Sequence, residues 1–66
     1  MSAHAKAIFR GVHVIRDVGT AFLCLVERKK VWVPLTEIRF GTDLTKAGDH
    51  GTLIISRWLA RALALR

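Results

Sequence analysis

The sequence predicts an all-β to α+β domain. The expected form is a small, strongly bent antiparallel sheet or barrel, SH3-like or OB-like, of four to five strands with one C-terminal helix. Three observations carry that expectation. Residues 21–38, AFLCLVERKKVWVPLTEI, read as two apolar strands joined by a charged hairpin turn. Residues 48–55 repeat the sequence of turn and apolar strand. Residues 56–65 then change to helical spacing.

The elements follow in order. Residues 7–16 form the first strand, with Ile8, Val12 and Val14 on one face and Phe9, His13 and Ile15 on the other. Gly11 marks a bulge or a sharp bend. Asp17-Val18-Gly19-Thr20 is a turn, because Asp bonds the following backbone and Gly accepts a positive φ. Residues 21–27 are apolar at six successive positions and make the central strand. Glu27-Arg28-Lys29-Lys30 is an exposed, mostly basic tip, and residues 31–35 are the third strand. Pro34 cannot donate to a ladder, so that strand ends there or lies at an edge. Residues 36–40 continue as a short strand or a 3₁₀ turn, and residues 41–51, GTDLTKAGDHG, form a long loop. Residues 52–55 are the last strand. Ser56 caps the helix; Trp58, Leu59, Ala62, Leu63 and Leu65 make its apolar face, with Arg57 and Arg61 opposite.

With 66 residues the chain is one domain, residues 1–66, of which 1–6 are expected to be a disordered tail. A domain of this size buries only about 60% of its unfolded surface. Yet 52% of the residues are hydrophobic, which excludes disorder and leaves apolar surface to share. A homodimer would cover it, with residues 31–35 as an edge ready to pair. Eleven Lys+Arg against five Asp+Glu give a net charge of +6, which suits nucleic acid or an acidic protein surface. The single cysteine, Cys24, allows no disulfide within the chain and reads as a buried small hydrophobe in a reducing compartment. The N-terminal residues lack the apolar run of a signal peptide, and no apolar run approaches a membrane span. A cytoplasmic protein with no membrane partner is expected.

Val31-Trp32-Val33-Pro34 with Ile38, then Gly48-Asp49-His50-Gly51 with residues 52–55, then Trp58-Leu59-Ala60, make a recognisable pattern. It resembles a loose group of small phage and prophage accessory proteins. In these a strand ends in Trp, then Ile or Val, then Pro; a Gly-Asp-x-Gly turn, a short apolar strand and a Trp-bearing helix follow. The resemblance spans about residues 12–60. It implies a phage accessory protein and carries over no catalytic residue. Ser56-Arg57 stands where members of the group carry acidic residues, and this chain is the more basic.

No catalytic constellation is legible, and no enzyme activity or cofactor is expected. His4, His13 and His50 lack metal-ligand spacing, and no phosphate-loop, dinucleotide or nucleophile-elbow motif is present. Trp32 and Trp58 sit beside apolar runs, where packing is the plainer reading and base stacking the functional one. Trp32, out of phase with Val31 and Val33, is the better placed to be exposed. The basic residues form three clusters: Arg28-Lys29-Lys30; Arg57, Arg61 and Arg66; and Lys6, Arg10 and Arg16. Scattered, they only solubilise; converged, they track phosphates. Arg57 in the first helical turn opposes the helix dipole, a local cost that hints at a partner. The expected function is non-enzymatic binding of nucleic acid or a nucleoprotein through Arg28, Lys29, Lys30, Trp32, Arg57 and Arg61. The alternative is a phage-encoded inhibitor, of anti-CRISPR type, that docks on a host defence complex.

Overall fold

The computed structural model describes residues 5–65. Residues 1–4 of the expected tail, and Arg66 of the helical cluster, lie outside them. Lys6 is not tail: it opens the first strand, β1 (Lys6–Asp17). β2 (Ala21–Val26), β3 (Lys29–Pro34) and β4 (His50–Ser56) follow, and α1 (Arg57–Ala62) ends the fold. All pairings are antiparallel and the order is β3-β2-β1-β4, so the fold is α+β with four strands in one sheet. The sheet stays open instead of closing into a barrel. Beyond β3 the chain makes a 3₁₀ turn (Leu35–Glu37) and returns to β4 through one bridge, Ile38 to Ile55. Residues 39–43 then run along β4, held by Arg39 N–H to the Ile54 carbonyl at 2.8 Å and Asp43 N–H to the Thr52 carbonyl at 3.3 Å. Thr52 N–H donates back to Asp43 Oδ1 at 2.8 Å. Gly51 leaves room for that carboxylate; a Cβ there would run into it.

Gly11 is the bulge. It sits at φ +69, and the β1–β4 register shifts between Phe9 and Val12. Two residues, Arg10 and Gly11, oppose the single Thr52 there. The extra residue reverses the alternation, which corrects the expected faces: Phe9, Val12 and Val14 point into the core, while Ile8 and Ile15 are exposed. The core face also carries Phe22, Cys24, Val26, Val31, Val33, Leu53 and Ile55. Leu44 from the loop and Leu59, Ala60 and Leu65 from the helical end cover it.

The helix is shorter than its spacing suggested. Ser56 Oγ accepts the Leu59 N–H at 3.0 Å, as expected of the cap. At the other end Ala64 takes φ +59, its N–H bonds the Arg61 carbonyl, and Leu65 N–H bonds the Ala60 carbonyl, both at 2.9 Å. This pair of bonds is a Schellman ending, and it folds Leu65 back onto the core. Trp58 and Ala62, expected on the apolar face, are exposed.

Cys24 is fully buried in mid-β2, and burial pushes its thiol up to about 11. At neutral pH only about one molecule in ten thousand then carries the nucleophilic thiolate. Native labelling by a thiol reagent is expected to wait for unfolding. Labelling as fast as in denaturant would place Cys24 outside the core.

Candidate functional site

The core occupies one face of the sheet; the other face lies open. Directly paired residues in an antiparallel sheet share a face, so the register lays side chains in rows. One row crosses all four strands: Lys30 of β3, Leu25 of β2, His13 of β1 and His50 of β4. The next row is Trp32, Leu23 and Arg16. Ile8 with Ile54, and Lys6 with Ser56, continue the same face toward the start of β1. Trp32 is 47% exposed, and Lys30, Arg16 and His50 are exposed. His13 and His50 stack, with ring centroids 4.1 Å apart and planes 12° from parallel. The face therefore carries an exposed indole and a stacked imidazole pair among cations.

The loop before β4 sets the histidine pair. Asp49 Oδ2 accepts Thr45 N–H at 2.8 Å, the Thr45 hydroxyl at 2.9 Å and Lys46 N–H at 3.1 Å, while Lys46 Nζ reaches Oδ1 at 3.3 Å. The loop in turn bonds β1: Val14 N–H to the Asp49 carbonyl at 2.9 Å and Gly48 N–H to the Val14 carbonyl at 2.8 Å. These bonds deliver His50 beside His13. Led by the Thr45 N–H and hydroxyl, they hold the Asp49 carboxyl down at about 2. A depressed carboxyl supports the fold above its ordinary value of 3.8 and loses that support as pH falls toward 2. Exchange protection of the Thr45 and Lys46 amides is expected to be flat from neutrality to about pH 4 and to fall between there and about pH 2. Protection unchanged at pH 2 would contradict this anchoring.

The basic residues divide. The hairpin tip is only Glu27-Arg28, both at positive φ (51 and 70), a type I′ turn. Lys29 and Lys30 therefore belong to β3, paired with Val26 and Leu25, and alternation sends Lys30 to the open face and Lys29 to the opposite side. Of the described helix and hairpin cations, only Arg57 and Arg61 share a cavity. They line a hollow of about 440 Å³ with Lys6, Ala7, Ile8 and Ala60.

Trp58, read as packed, is 71% exposed, and Phe40 is 95% exposed, whereas its loop neighbour Leu44 is buried. The His13–His50 pair and the place of Lys6 beside Arg57 and Arg61 were missed. Both depend on β1 pairing with β4 across more than thirty residues of sequence. Among the described residues no group of three or more His, Cys, Asp or Glu side chains gathers to hold a metal ion, and no helix is long and apolar enough to cross a membrane.

No protein-family model matches the chain, and no curated protein or solved structure matches it.

Proposed function

We propose that the protein binds single-stranded nucleic acid across the open face of its sheet. The observation that carries this reading is the coincidence on one face of Trp32, the His13–His50 stack, Lys30 and Arg16. Every base offers a π-face, so stacking platforms take single strands with little regard to sequence, and nearby cations hold the backbone. The net charge of +6 adds long-range attraction. The test is fluorescence anisotropy of labelled oligonucleotides at increasing salt. Binding should weaken with a slope of about −0.7 per phosphate contacted. Absence of binding at low salt would reject the reading.

Phe40 favours a second reading. Its ring, 95% exposed, belongs to no strand row of the open face and suits an apolar protein surface, as in an inhibitor docked on a host complex. Under that reading association depends little on salt and survives nuclease, and Phe40→Ala weakens it.

A further inference from the structure

We propose that the hollow between β1 and α1 is a phosphate-dianion site that takes the terminal phosphate of a bound strand; this rests on the nucleic-acid reading above. Arg57 and Arg61 stand one helical turn apart on the same side of α1. Lys6 faces them from the strand. The two elements are tied together by Arg57 N–H to the Ala5 carbonyl at 3.1 Å and by the pairing of Lys6 with Ser56. The cations are thus carried by backbones in fixed relation. Ala7 and Ala60, small side chains, keep the hollow open between them.

Among the described residues nothing compensates the charge in the hollow. Of the chain's five acidic residues none lines it. Glu37 pairs with Arg39, Asp49 with Lys46 and Thr45, Asp43 with Thr52 N–H, and Asp17 with Gly19 N–H; Glu27 sits at the hairpin tip. Among the described residues, Lys6, Arg57 and Arg61 have no ion-pair partner. Three unpaired cations around one cavity exceed what an internal phosphodiester needs, since it carries a single charge. A terminal monoester carries about −1.5 to −2 at neutral pH and offers three acceptor oxygens to guanidinium forks. Placement agrees with the charge count. Lys6 and Ile8 belong to the open face as well as to the hollow, which therefore lies at one end of the stacking platform. A strand laid over the histidine pair and Ile8 reaches the hollow with its end.

The experiment compares short single strands of one sequence bearing a 5′-phosphate, a 3′-phosphate or hydroxyls at both ends. Each is titrated at fixed ionic strength against the full chain and an Arg57→Gln/Arg61→Gln variant. One phosphorylated strand should bind about tenfold tighter than the hydroxyl strand, and the variant should lose that preference while keeping most of its affinity for the hydroxyl strand. Inorganic phosphate alone should shift the Lys6, Ala7 and Arg61 amides in an NMR titration and leave Trp32 unmoved. Both arginines are exposed, so an unchanged melt of the variant is the folding control. Equal binding of the three strands overturns the site and leaves the nucleic-acid reading standing, as does a preference that survives in the variant. Phosphate that moves no amide of the hollow overturns the site too, and binding of no strand overturns both proposals.

Discussion

Replacing Phe9 by alanine is expected to leave much of the chain unfolded at room temperature. Phe9 is 1% exposed and lies beside the bulge, where β1 turns its alternation over. Its ring joins β1 to β4 opposite Leu53, itself fully buried. Truncating such a ring costs about 3–5 kcal/mol, because the transfer term is lost and the surrounding core relaxes only partly into the cavity. A domain of this length holds roughly 3–10 kcal/mol in total. Urea titration followed by circular dichroism measures the loss. Ile8→Ala, one residue away but on the open face, should cost less than about 1 kcal/mol. Equal losses in the two variants would mean that the bulge does not set the faces as described.

Lys30→Glu combined with Trp32→Ala is expected to weaken oligonucleotide binding by on the order of a hundredfold. Base–aromatic stacking is worth about 1–3 kcal/mol per base, and reversing one cation beside the backbone removes an attraction and adds a repulsion. Both side chains stand on the open face of an edge strand, outside the core, so the melt should move by only a few degrees. The control is Arg28→Glu with Lys29→Glu. It alters the net charge twice as much but removes residues at the tip and on the opposite side of β3. If binding follows net charge alone, the control will be the weaker binder. If it follows the face, the Lys30/Trp32 variant will be.

Much of the architecture is legible in residue order because short-range rules dictate it. Residues 21–26 are apolar throughout and do form an interior strand, Pro34 does end an edge strand, and Ser56 does cap the helix. The errors share one physical origin. Strict alternation from Ile8 puts Ile8, Val12 and Val14 together. Gly11 signals that alternation breaks, yet only the partner strand shows that one residue is inserted and that Phe9 goes inward. Helical spacing through Leu65 likewise hides the left-handed Ala64, which ends the helix early and turns Leu65 back onto the core, while the helix itself buries Leu59 and Ala60 and leaves Trp58 and Ala62 exposed. The candidate site was half legible. Trp32 falls on the open face as its phase implies, Lys30, read as turn, joins it from β3, and Arg57 and Arg61 face solvent together. Their companions His50 and Lys6 enter only through the long-range β1–β4 pairing, which local sequence patterns do not encode.

That pairing also means that the cationic hollow is assembled from opposite ends of the sequence. Lys6 arrives on the first strand, and Arg57 and Arg61 arrive on the last element. In the unfolded chain these charges are far apart and the hollow does not exist. A ligand seated there binds only the folded form and bridges the two ends, so occupancy raises stability by mass action, by about 2.7 kcal/mol at a hundred times its dissociation constant. Fraying of β1 from β4 and release of the helix would then require the ligand to leave first. Protection against proteolysis near the termini, more than any change in shape, becomes the natural signature of the loaded protein.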